Sequence, residues 1–118
     1  MGEKWIIDYY KTASGRVPVE KFIDSLTTKA QVKISDALDL LKEFGINLGL
    51  PHVKKIIGTS LWELRTLGKN NIRIFYITKK GNTFLLLHGS QKKKQKTDKK
   101  EIDTALKRLA EYELSGKN

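Results

Sequence analysis

Two short turn signals constrain this chain more than anything else in it. Between Leu61 and Ser90, three runs rich in alternating, β-branched and aromatic residues are separated by Gly68-Lys69-Asn70 and by Gly81-Asn82. Turns this short oblige the flanking strands to pair with each other. Leu61–Leu67, Asn71–Lys79 and Thr83–Ser90 are therefore predicted to form a three-stranded antiparallel meander. A three-residue loop at Gly68–Asn70 sets Leu67 opposite Asn71, so Arg65 faces Arg73 and Glu63 faces Phe75. A two-residue loop at Gly81-Asn82 sets Lys80 opposite Thr83, so Phe75 faces His88 and Arg73 faces Ser90. Directly opposed residues share a sheet face. One face then carries Glu63, Arg65, Arg73, His88 and Ser90, with Leu61, Ile77 and Leu86 at its apolar end. The other carries Trp62, Leu64, Ile72, Ile74, Tyr76, Leu85 and Leu87 and reads as core. A slip of one residue would bury an arginine and scatter the rest, which favours this register.

The remaining elements follow from periodicity and capping. Trp5–Lys11 reads as a strand, ended by Gly15. Pro18 suits the first turn of a short helix with Phe22, Ile23 and Leu26 on its apolar side. Thr28 and Gln31 fit a capping box for a second helix, whose stripe is Ile34, Ala37, Leu38 and Leu41 and whose stop is Gly45. Ile46–Thr59, with His52 and the pair Lys54-Lys55, reads as a loop. A lysine-rich link, Gln91–Lys96, leads to a last helix capped by Asp98 with Glu101 at N3, its stripe formed by Ile102, Ala105, Leu106 and Leu109. The order is β-α-α-β-β-β-α, and residues 1–118 form one α+β domain with a small, mostly antiparallel sheet, two N-terminal helices and one C-terminal helix.

Charge narrows the function. The net charge is +10. Residues 1–50 hold seven basic and seven acidic side chains; residues 51–118 hold sixteen basic and six acidic ones and so carry the whole excess. A basic half on a neutral half points to a polyanion-binding face. Lys92, Lys93, Lys94, Lys96, Lys99 and Lys100 crowd into nine residues just after the strand bearing His88, within reach of a phosphate backbone. The chain has no cysteine, which removes disulfides and thiolate zinc sites, and two histidines make a poor structural metal set. No metal or cofactor is expected. The first residues lack the layout of a signal peptide, and no run nears the ~20 apolar residues of a bilayer span. A cytoplasmic protein without membrane contact is expected.

Leu61-Trp62-Glu63-Leu64-Arg65, Asn71-Ile72-Arg73-Ile74-Phe75-Tyr76, Leu86-Leu87-His88-Gly89, Lys92-Lys93, Gln95-Lys96-Thr97, Glu101-Ile102 and Ala105 form an ordered set. This set resembles the phage-derived, HigB-like toxins of the RelE/ParE superfamily. The resemblance implies a RelE-like fold and cleavage of messenger RNA on the translating ribosome, with the RNA's own 2′-hydroxyl as nucleophile and no metal. It also implies a cognate antitoxin, a helix-turn-helix protein, through which alone operator DNA would be contacted. Asp98 stands where the family usually has proline, Ser90 where an aromatic residue is common, and Ser60 where glycine is usual.

Cleavage of this kind needs a base for the hydroxyl proton, cations for the phosphate and an acid for the leaving oxygen. Arg65 and Arg73 suit the phosphate, since guanidinium binds it in a bidentate way. His88 suits proton transfer near neutral pH. Glu63 is a candidate base, or orients an arginine, or forms an ordinary surface ion pair. Lys92, Lys93, Lys94, Lys96, Lys54 and Lys55 are candidates for holding the RNA backbone. An exposed Arg73 would tolerate removal without loss of folding. Two other functions fit the same residues: a ParE-like gyrase poison, and a non-enzymatic nucleic-acid-binding module.

Overall fold

The computed structural model describes residues 5–66, 68, 71–91 and 99–116. Strand β1 (Ile6–Tyr9) leads to helix α1 (Pro18–Asp24) and helix α2 (Thr28–Phe44), which continues into a 3-10 turn at Gly45–Asn47. Strands β2 (Val53–Lys55), β3 (Trp62–Arg65), β4 (Ile72–Lys79) and β5 (Thr83–Gln91) follow, then helix α3 (Lys99–Leu114). The five strands form one mixed sheet in the order β1-β5-β4-β3-β2, with β1 parallel to β5 and the other neighbours antiparallel. The fold is the expected α+β arrangement with one added strand. β2 lies inside the segment predicted as loop, because three residues are too few to reveal a period. Among the described residues no helix is long and apolar enough to cross a membrane.

The sheet is covered on both faces. On one, Val19 of α1 and Ala30, Ile34, Ala37, Leu38 and Leu41 of α2 pack over Val53, Leu64, Ile72, Ile74, Tyr76, Phe84 and Leu86. On the other, Ala105, Leu109 and Tyr112 of α3 pack over Leu61, Phe75, Leu85 and Leu87, with Tyr10 and Ile56 alongside. Burying each such aliphatic side chain contributes about 1.5–3 kcal/mol. The predicted stripes of α2 and α3 are the ones buried. The cap of α2 is Thr27, whose hydroxyl accepts from Ala30 N–H, one residue before the predicted Thr28. Gln31 does not complete a capping box; its amide donates to the Ile23 carbonyl and ties α2 to α1. Gly45 ends α2 at φ 57°, and a Cβ there would lie 1.9 Å from Trp5 Nε1. The predicted cap Asp98 lies outside the described residues.

The β3–β4 register is as predicted: Arg65 opposes Arg73 and Glu63 opposes Phe75. So is the far end of β4–β5, where Phe75 opposes His88 and Arg73 opposes Ser90. The turn end differs. Lys79, not Lys80, opposes Thr83, and the register shifts between Phe75 and Tyr76. Leu87 is the extra residue of a β-bulge, which moves side chains beyond it to the other face. Leu86 therefore joins the α1/α2 core, while Leu85 and Leu87 join the α3 core, the reverse of the sequence expectation. Trp62, expected in the core, lies near the β2 edge and is 36% exposed, with Lys55 Nζ 5.6 Å from its ring centre.

Both sheet edges are guarded against strand addition. On β1, Tyr9 N–H is taken by the Asp8 carboxylate and Trp5 N–H by the Lys42 carbonyl. β2 is short and carries two lysines. These are recognised devices for blunting an edge.

α1 crosses β5 at Gly89, where an added Cβ would lie 2.5 Å from Phe22 Cδ2 and 3.0 Å from Ile74 Cδ1. Gly89→Ala should destabilise the fold by about 1–3 kcal/mol, the usual range for overpacking. Urea denaturation checks this, and an unchanged midpoint would mean that α1 is not seated on β5 as described.

Candidate active site

The α3 side of the sheet is apolar beneath the helix and polar toward the other end of β4. Two ladder rows define its polar part. The first runs Lys54, Glu63, Phe75, His88 across β2, β3, β4 and β5. The second runs Arg65, Arg73, Ser90, and its line continues to His52, whose carbonyl accepts from Arg65 N–H at 2.8 Å.

Glu63 and Arg73 are the structural centre of these rows. Arg73 Nη1 lies 3.1 Å from Glu63 Oε2, with the two side chains 9% and 0% exposed. Two opposed arginines repel, and the buried carboxylate compensates one of them. Glu63 has no exposed surface, so it is not an ordinary surface ion-pair partner. Its geometry suits the orienting role rather than that of a base. Arg73 Nε is buried and has no hydrogen-bond partner among the described residues. Arg65, across the ladder, is half-buried, and no carboxylate pairs with it among the described residues. The pair thus gathers a fixed, dry guanidinium beside a more accessible one, a combination suited to a bound phosphate.

His88 stands diagonally from Arg73, at a Cα separation of roughly 7–8 Å for such neighbours. Its ring stacks on Phe75 at 6.0 Å between centres. Nε2 lies 2.5 Å from Glu101 Oε1 and Nδ1 lies 3.0 Å from Arg108 Nη1, both from α3. Guanidinium has donors only, so Nδ1 must be the acceptor and Nε2 must carry the proton that is donated to Glu101. The same Arg108 nitrogen donates to the Leu87 carbonyl at 3.0 Å, at the bulge. Burial, opposed by the Glu101 hydrogen bond but reinforced by the Arg108 charge, holds the His88 pKa below its usual 6.5. The His88–Glu101 contact near pH 7 is therefore a hydrogen bond from a neutral ring, not an ion pair.

The predicted residues are partly brought together. Glu63, Arg65, Arg73 and His88 share one face. Lys54 joins them opposite Glu63, whereas Lys55 opposes Trp62 on the other face and donates to the Thr59 carbonyl. Lys92, Lys93, Lys94 and Lys96 lie outside the described residues. Three neighbours of the site were not predicted. His52 was hidden in the apparent loop. Glu101 and Arg108 had a legible signal: they lie at i−4 and i+3 from Ala105, on the buried side of α3, where two charged residues need partners.

Removing one member of a buried pair leaves the other uncompensated, typically at a cost of about 3–5 kcal/mol. Arg73→Ala should therefore destabilise the protein by that order, contrary to the expectation for an exposed arginine. Glu63→Leu combined with Arg73→Met should recover much of the loss. Chemical denaturation of the single and double variants checks this; a single variant as stable as the parent would show that the pair is not buried.

His88 adds a pH dependence. Its pKa is depressed on folding, so between the folded value and 6.5 the unfolded chain binds more protons. The contribution of the neutral ring is complete above about pH 6.5 and is lost as pH falls through the folded value. The urea midpoint should decline on acidification below pH 6.5, and His88→Gln should flatten that decline. Equal slopes in both proteins would place His88 in solvent.

Residues 21–110 match the family described as phage derived protein Gp49-like (DUF891). No curated protein matches the chain. With most of its length matched, including every strand from β2 to β5 and the first three turns of α3, the chain belongs to the phage-derived Gp49-like family, whose members are toxin-like proteins found in toxin–antitoxin context.

Proposed function

We propose that this protein is a HigB-like toxin of the RelE/ParE superfamily that cuts messenger RNA on the translating ribosome. The observation that carries the reading is the facing pair Arg65 and Arg73, one of them fixed by the buried Glu63. Such a pair binds a phosphate diester better than it stabilises a sheet. Membership of a toxin-like family and the excess of positive charge on residues 51–118 support the same direction. In this reading the RNA 2′-hydroxyl is the nucleophile. Arg65 and Arg73 stabilise the charge that grows on the phosphorus oxygens. Lys54, with the lysines of residues 92–96, holds the backbone. Glu63 orients Arg73, and proton transfer falls to the group around His88, with no metal taking part. The toxin acts in the cytoplasm and is silenced by a cognate helix-turn-helix antitoxin, through which alone it meets operator DNA. The basic face invites an acidic antitoxin segment.

The test adds purified protein to a cell-free translation reaction and maps message 5′ ends by primer extension. New ends should appear only while translation proceeds. Arg65→Ala is the informative variant, because Arg65 is not locked into the buried pair. It should lower cleavage by the equivalent of about 2.7–4 kcal/mol, the usual effect of removing one transition-state donor, while circular dichroism stays unchanged. Translation that stalls or continues without new ends would refute the nuclease and direct attention to gyrase poisoning or plain RNA binding.

A further inference from the structure

Histidine is the obvious proton carrier on this face, yet the described geometry leaves His88 no free nitrogen. Its Nδ1 lone pair is occupied by Arg108 and its Nε2–H by Glu101. Arg108 is itself anchored at the bulge through the Leu87 carbonyl, and the ring is backed by Phe75. Among the described residues, the charged groups facing the ring are both from α3, Glu101 and Arg108, and β4 presents the Phe75 ring. The carboxylate that the ring meets is more open than the ring itself. The Glu101 side chain is 30% exposed against 15% for His88, and among the described residues only its Oε1 is engaged, by the imidazole.

We propose that Arg108 and Glu101 hold His88 in one tautomer, protonated on Nε2, and that Glu101 is the group that exchanges a proton with the RNA. His88 and Arg108 are then positioning residues, which act on the substrate only through Glu101. The second half rests on the nuclease reading above; the first half does not. In the reaction, the 2′-hydroxyl proton passes to the free Glu101 oxygen as the O2′–P bond forms. The P–O5′ bond breaks, leaving a 2′,3′-cyclic phosphate, and water protonates the departing 5′-oxygen. The hydroxide so formed takes the proton back from Glu101, which restores the carboxylate. The His88 Nε2–H bond fixes the rotamer of that carboxylate and keeps the second oxygen available. Glutamine at position 88 could still donate to Glu101 but could not carry a proton, so it separates positioning from proton transfer.

Two measurements decide the matter. Nitrogen-15 imidazole spectra of the intact protein at pH 7.5 should show His88 as the neutral Nε2–H form, and Arg108→Gln should mix the tautomers. An Nδ1–H form or an imidazolium in the parent would overturn the clamp, whatever the protein does to RNA. In the translation-dependent cleavage assay, Glu101→Gln should lose roughly a hundredfold or more, the scale of general-base catalysis. His88→Gln should lose about tenfold, the lower end for a residue that orients a working group. The acidic limb of the pH–rate profile should persist in His88→Gln and vanish in Glu101→Gln. The reverse ranking, with His88→Gln folded but the more damaged and its acidic limb lost, would return the proton to histidine. Absence of cleavage by the parent would strike the nuclease reading and with it the role given to Glu101, while the spectra still decide the clamp.

Discussion

The interaction on which the site depends is the ion pair between Glu63 and Arg73, closed off from water in the middle of the sheet. Desolvating two charges is expensive, several kcal/mol per ion even after relaxation, and an apolar pair of the same volume would often be at least as stable. Its presence is poorly explained by stability and well explained by placement. With the carboxylate beneath it, a guanidinium can be held at a fixed spot opposite a second arginine. Without it, like charges across a ladder would separate or draw in solvent. The surrounding apolar residues, Phe75 in the same row and Leu64 and Ile74 behind, supply the low polarity that makes the pair rigid.

α3 contributes in two ways. Its apolar stripe completes the second core, and its two inward charged residues reach the ring of His88. Packing and chemistry thus share one helix. The site is assembled from β3, β4, β5 and α3, with β2 placing Lys54 at its margin. That distribution is characteristic of sites carried by a rigid sheet, where the strands fix positions that loops would leave less precise.

How much of this was legible in the sequence depends on how local the signals were. The short turns were enough to pair Arg65 with Arg73 and Phe75 with His88, since a strand period of two leaves few registers open. The swap of Leu85, Leu86 and Leu87 between faces was not legible. All three positions are leucine, so nothing in the pattern marks where the bulge falls. Burial of Arg73 was also hidden, because the cover comes from tertiary packing rather than from neighbours in sequence. β2 escaped notice for want of length, and with it the position of His52 near Arg65. Glu101 and Arg108 were readable as an irregularity in the α3 stripe, but their shared target on β5 could be named only from the fold.

The bulge at Leu87 divides the β4–β5 hairpin into two independently indexed halves. From the turn to Tyr76 the pairing follows one count; from Phe75 to Gln91 it follows another. The polar rows belong wholly to the second count. A hairpin built this way resembles a vernier: the turn can be reset by a residue and the offset absorbed at the bulge, with Arg73 still facing Ser90. The carbonyl at the joint is the one that anchors Arg108, so the same irregularity that isolates the site from the turn also fastens the last helix to it.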